Sequence, residues 1–84
     1  MMGIKKDRVI IVSGTDKASE LYNVAGVIKM IASKKITYTQ IGHNVHMFTY
    51  KANESKEKDL RELLRKNFPN FKFGYLNEKV EEEA

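Results

Sequence analysis

Residues 36–50 read ITYTQIGHNVHMFTY, and this stretch in the middle of the chain decides the fold. Two runs rich in β-branched and aromatic residues, 36–41 and 45–50, flank the short segment GHN at 42–44. Glycine and asparagine adopt the backbone conformations that tight turns need, so these residues predict a β-hairpin. The remainder of the chain can be assigned outward from this hairpin on both sides.

A strand and a helix are predicted on the N-terminal side of the hairpin. Residues 8–12 read RVIIV, and an apolar run without alternation is typical of a central strand buried on both faces. Residues 17–33 carry apolar side chains at helical spacing, and Thr15 or Asp16 is the expected N-cap. Gly26 lies inside this helix, where we expect it to allow close packing against the sheet.

A helix and then a strand are predicted on the C-terminal side of the hairpin. A second helix is expected to begin at Asn53 or Ser55 as N-cap, and Pro69 ends it because proline disfavours a helical residue before it. Residues 71–76 then alternate between aromatic and other side chains, which predicts a final strand. Each half of the chain therefore supplies one helix and two strands.

The order β-α-β-β-α-β predicts an α/β fold of the α+β type, the ferredoxin-like βαββαβ plait. Right-handed connections place both helices on one face of a four-stranded antiparallel sheet, with strands 8–12 and 45–50 at its centre. We expect residues 1–77 to form a single domain. Residues 78–84 are acidic and are expected to form a flexible tail. Two roles are open for it: solvent-exposed filler, or a segment that folds back and competes with an anionic ligand.

Composition excludes several classes of protein. The chain has 84 residues, 15 Lys and Arg against 11 Asp and Glu, a formal net charge of +4, and no cysteine. The absence of cysteine excludes a disulfide scaffold and a thiol nucleophile. Apolar runs are far shorter than a membrane span, so we expect a cytoplasmic protein with no membrane partner.

The sheet face away from the helices is the expected working surface. Alternation divides the side chains of the second hairpin strand between the two sheet faces. One set is Val45, Met47 and Thr49, and the other is His46, Phe48 and Tyr50. Neither set is evenly polar, and an exposed apolar patch on a small protein marks an interaction surface. The element order resembles the RNA-recognition motif in topology only, because Val45 and Met47 stand where that family has stacking rings.

These features predict a small basic non-enzymatic module that contacts nucleic acid or a nucleoprotein assembly through the open sheet face and a basic rim. Aromatic rings would stack on bases or meet a partner, and basic side chains would meet phosphates. The candidates for stacking or contact are Tyr38, His46, Phe48 and Tyr50, and those for charge are Lys5, Lys6, Arg8, Lys34 and Lys35.

Other interpretations stay open at this point. A protein-binding regulator or inhibitor, including a homodimer, would use the open face or Val27 and Met30 on the first helix. The aromatic residues could instead face the helices, and the mixed charges could be an ordinary solubilising surface. We expect no metal, because His43 and His46 are three residues apart and would point to opposite faces of a strand. We also expect no enzyme activity, cofactor or small-molecule substrate, because no Ser/His/Asp order or pair of carboxylates stands out. An enzyme that uses His46 is the remaining alternative.

Overall fold

A computed structural model describes residues 6–77 of the chain. The elements follow the predicted order of four strands and two helices. In chain order they are β1 (Lys6–Ser13), α1 (Ala18–Ile31), β2 (Thr37–Gly42), β3 (Val45–Ala52), α2 (Glu54–Asn67) and β4 (Lys72–Asn77). The predictions for Lys5 and for the tail 78–84 lie outside the described residues.

The four strands form one antiparallel sheet with the order β2-β3-β1-β4. The prediction that β1 and β3 are central is confirmed, and β2 and β4 are the two edges. The hairpin turn between β2 and β3 contains Asn44 with φ of 59°. Asparagine tolerates this left-handed conformation better than most residues, which is why the chain reverses at this point.

Both helices pack on the same face of the sheet, and a single hydrophobic core fills the space between the two layers. This arrangement confirms the predicted α+β fold and is consistent with the ferredoxin-like plait. The buried apolar residues of the core are Ile10, Val12, Leu21, Val24, Ile28, Phe48, Tyr50, Ala52, Leu60 and Leu64.

The start of α1 differs from the prediction. The N-cap residue is Lys17, which makes no side-chain capping bond. The Thr15 hydroxyl accepts a hydrogen bond from the Lys17 backbone N–H at 3.1 Å and also bonds to Glu20. Thr15 thus orders the turn before the helix, while Asp16 is engaged elsewhere. At the second helix, the prediction of Asn53 as N-cap is confirmed, because its side chain accepts from the Lys56 N–H.

The expected role of Gly26 is wrong. This glycine lies on the exposed side of α1, and a Cβ atom added there would meet nothing within 4 Å. It therefore does not bring the helix closer to the sheet. In a helix interior glycine loses more conformational entropy on folding than alanine does.

We accordingly expect Gly26→Ala to stabilise the protein by about 1 kcal/mol. Urea unfolding followed by circular dichroism gives the free energy of unfolding for both proteins. A variant that is no more stable than the parent contradicts the exposed placement of Gly26.

Candidate functional site

A groove with a volume of about 960 Å³ lies at one end of the sheet. It is lined partly by the open face, the sheet face turned away from both helices, and partly by the helix side through Lys29, Arg8 and Tyr50. Leu76, Val9, Thr49 and Thr37 stand side by side across the four strands and line this groove. The connection between α1 and β2 borders it through residues 33–36. Segments distant in the chain therefore form one concave surface.

Positive charge is concentrated around this groove, which we call the basic groove. Its lysines are exposed, and Lys51 lies 3.1 Å from the Asp7 carboxylate. An exposed ion pair of this kind contributes little to stability, so a more highly charged anion can take the place of the Asp7 carboxylate beside Lys51. A concave surface lined mostly by one sign of charge attracts ligands of the opposite sign. The charged residues that line the groove are Asp7, Arg8, Lys29, Lys34, Lys35 and Lys51.

The structure brings together part of the predicted basic set. Lys34 and Lys35 line the basic groove as neighbours of Lys29 and Lys51, which the sequence reasoning did not select. A signal for Lys51 was present, since it directly follows the predicted strand 45–50 and β3 in fact continues through it. Lys6 begins β1, but its side chain lies outside the described part of the chain.

Arg8 lines the basic groove, but it is not the free surface charge that the sequence predicted. The residue is buried, and its Nη1 atom donates to Glu57 Oε1 at 2.8 Å. Its Nε atom donates to the carbonyl oxygen of Ala52 at 2.9 Å. Glu57 also accepts from Arg61 Nη2 at 3.3 Å. The Arg8 guanidinium therefore holds β1, β3 and α2 together.

Tyr50 lies beside this ion pair and also lines the basic groove. Its ring is buried, and its hydroxyl has no hydrogen-bond partner among the described residues. Burial raises the pKa of Tyr50 well above its ordinary value, and the nearby Glu57 carboxylate raises the pKa further. The hydroxyl consequently stays protonated and keeps a hydrogen bond to donate.

The prediction that the aromatic candidates are available on the open face is wrong. His46, Phe48 and Tyr50 point toward the helices and are at most 3% exposed. Tyr38 shares their side of the sheet, with its ring centroid 5.3 Å from that of Phe48, but it remains 47% exposed at the edge strand. The larger side chains of β3 face the helices because they fill the space between the sheet and the helices.

His46 forms a buried hydrogen-bond network instead of a surface contact. Its Nε2 atom lies 2.9 Å from the Thr15 carbonyl oxygen and 2.9 Å from Asp16 Oδ1. Both partners are acceptors, so Nε2 carries the hydrogen, and in the neutral ring the Tyr38 hydroxyl donates to Nδ1 at 2.7 Å. The imidazole thus joins β3, β2 and the turn before α1.

We expect Tyr38→Phe to lower the free energy of unfolding by about 1–3 kcal/mol, because a buried ring nitrogen of His46 loses its partner. Urea unfolding measures the change. The matched control is Tyr22→Phe, which removes a hydroxyl from a residue that is 78% exposed and should change stability by less than about 0.5 kcal/mol. Equal effects of the two changes would show that the Tyr38–His46 bond contributes nothing.

The open face itself is aliphatic and hydroxyl-rich. Its centre consists of half-buried Val9, Ile11 and Met47, and threonines extend it across β3 and β2. Among the described strands no aromatic side chain lies on this face. It therefore offers no ring for base stacking, although it can bind apolar surface.

The two helix residues proposed as an interface differ in exposure. Val27 is half-buried and packs against the core, so little of its side chain is available to a partner. Met30 is 68% exposed and remains available.

A metal centre finds no support in residues 6–77, where no group of three or more potential ligand side chains comes together. Neither described helix is long and apolar enough to cross a membrane. A comparison with protein-family models and with curated proteins finds no match. Fold and site together define a two-layer α+β domain with a basic groove at one end of its sheet.

Proposed function

We propose that this protein is a small non-enzymatic module that binds the phosphate backbone of nucleic acid along the basic groove. The nucleic acid would be either free or part of a nucleoprotein assembly. The observation that carries the proposal is the gathering of Lys29, Lys34, Lys35 and Lys51 around one groove. Phosphate contacts of lysine act through charge and need no particular base sequence. We place this activity in the cytoplasm.

The composition of the open face sharpens the kind of binding. Because the aromatic residues of β3 are buried under the helices, contact with bases is limited to the aliphatic and threonine side chains beside the groove. Recognition by stacking needs exposed rings. We therefore propose binding that depends weakly on sequence and accepts both single strands and duplexes.

Fluorescence anisotropy with a labelled single strand and a labelled duplex tests this proposal. We expect binding to both at about 50 mM salt and a loss of about 100-fold in affinity at about 200 mM, as four phosphate contacts imply. An uncharged peptide nucleic acid of the same base sequence is the control and should not bind. The proposal fails if neither natural strand binds at low salt.

A second candidate function is protein binding through the open face, in the manner of a regulator or inhibitor. The favouring observation is the aliphatic centre formed by Val9, Ile11 and Met47, which no described element covers. Apolar surface of this kind supports protein contact better than phosphate contact. Capture of partners from a native lysate with and without nuclease separates the two candidates, because only nucleic-acid-dependent partners disappear after nuclease treatment.

A further inference from the structure

The edge strand β2 presents an unpaired side to its surroundings. The strand order β2-β3-β1-β4 leaves one side of Thr37–Gly42 without a neighbouring strand among the described residues. All six residues are exposed. Backbone N–H and C=O groups along such an edge can pair with another strand, and proteins usually block this addition.

Charged residues and proline, two of the usual protections, are missing from β2, although its pairing with β3 shifts register between Gln40 and Gly42. Its sequence TYTQIG contains no charged residue and no proline, whereas the opposite edge strand β4 carries Lys72. Charge and proline are the common devices that prevent a further strand from joining a sheet. Of the two edges, β2 is therefore the one that is open to strand addition.

Exposed apolar side chains are concentrated beside the same edge. Tyr22 of α1 is 78% exposed, and Tyr38 and Ile41 of β2 are 47% and 50% exposed. Between α1 and β2 lies an apolar groove of about 280 Å³, which we call the edge groove. A strand added to β2 would bring alternate side chains over it. The residues that line the edge groove are Ala18, Leu21, Tyr22, Ala25, Ile36, Tyr38 and Phe48.

We propose that a second copy of this chain occupies this edge, so that two β2 strands pair antiparallel and the sheets join into one of eight strands. The neutral β2 strand allows two copies with the same positive net charge to meet without direct repulsion. Pairing would also cover the exposed side chains of Tyr22 and Tyr38 in both copies at once. The contact is thus self-complementary, as a two-fold interface requires.

Strand geometry restricts how the two copies align. Opposed residues of an antiparallel pair lie on the same sheet face, and a two-fold axis perpendicular to the sheet keeps the faces of the two copies aligned. One residue of β2 must therefore stand opposite its own copy. The middle of the strand supplies the candidates Tyr38, Thr39 and Gln40. A contact built on one short strand and one side of α1 is small, so we expect a dimer that dissociates on dilution.

Disulfide trapping tests the alignment, and the natural chain contains no cysteine to interfere. Tyr38→Cys, Thr39→Cys and Gln40→Cys are oxidised mildly, with Leu76→Cys on the exposed opposite edge as control. Opposed Cα atoms of an antiparallel pair are about 4.5–5.5 Å apart, within reach of a disulfide. We expect rapid crosslinking at one of the three β2 positions and little at Leu76. Crosslinking no faster than in the control at all three overturns the proposal.

Sedimentation equilibrium on the unmodified chain gives an independent measurement. We expect a monomer–dimer equilibrium that higher salt favours, because screening reduces repulsion between the two basic copies. Thr39→Lys should abolish the dimer while circular dichroism stays unchanged, and Leu76→Lys should leave the dimer intact. A parent chain that is monomeric at every concentration overturns the proposal, and so does a monomer that binds an unrelated extended peptide at β2.

Discussion

Replacing Glu57 by alanine is expected to lower the free energy of unfolding by about 3–5 kcal/mol, the largest stability effect that the fold predicts. Glu57 and Arg8 are both buried, with 5% and 6% of their surfaces exposed. Removal of the carboxylate takes away the acceptor that lies 2.8 Å from the Arg8 Nη1 atom in the interior of the protein. Because small domains have total stabilities of about 5–15 kcal/mol, this variant is expected to approach unfolding at room temperature.

Urea unfolding measures this loss against Asp59→Ala, which removes the same charge from an exposed position of the same helix. The control should change stability by less than about 0.5 kcal/mol. Changing both partners together, Arg8→Met with Glu57→Met, should be less harmful than Glu57→Ala, because both charges of the buried ion pair are removed together. An equal effect of Glu57→Ala and Asp59→Ala contradicts a structural role for the ion pair.

The second large effect concerns binding. A triple variant that changes Lys34, Lys35 and Lys51 to alanine is expected to lose about 10- to 100-fold in affinity for nucleic acid at low salt. These lysines border the basic groove and are exposed, so their removal should leave the fold intact. Fluorescence anisotropy with a duplex gives the affinity, and circular dichroism verifies the fold.

The matched control removes the same amount of charge from another surface. Lys56, Lys58 and Lys66 are exposed residues of α2, and none of them lines the basic groove. Changing these three to alanine should reduce affinity only slightly, through the lower net charge. Similar losses in both triple variants would mean that general positive charge, not the groove, attracts the ligand.

Much of the fold could be predicted because the deciding signals are local. The apolar run 8–12 indicated a central strand, and β1 is central, with Ile10 and Val12 fully buried. The expected burial on both faces is wrong, because Val9 and Ile11 are only half-buried on the open face. The segment 42–44 indicated the hairpin turn, where Asn44 has a positive φ. Each of these features depends on a few adjacent residues, so a single sequence contains the information.

The orientation of the sheet faces could not be predicted. In β3, the set Val45, Met47 and Thr49 is apolar enough to compete with the aromatic set that alternates with it. The choice depends on which set fills the volume under α1 and α2, and that volume exists only after both helices are placed. Burial of His46 also depends on Thr15 and Asp16, which are about 30 positions away in the chain.

The candidate site was predictable only where its residues are neighbours in the chain. Lys34 and Lys35 are adjacent in the chain, and a pair of lysines between a helix and a strand is visible in the sequence. Arg8 was misassigned because its partner Glu57 is 49 positions away. Nothing near either residue indicates a buried ion pair, and charged side chains are on the surface in most proteins.

The most direct test of phosphate binding at the basic groove is the salt dependence of duplex affinity in the parent chain and in the two triple lysine variants. Each phosphate contact contributes about 0.9 to the slope of log affinity against log salt concentration. We predict that the Lys34, Lys35 and Lys51 variant loses about 2–3 from this slope, whereas the Lys56, Lys58 and Lys66 variant keeps the parent value. An unchanged slope in the groove variant, or the same loss in both variants, would contradict the proposed binding site.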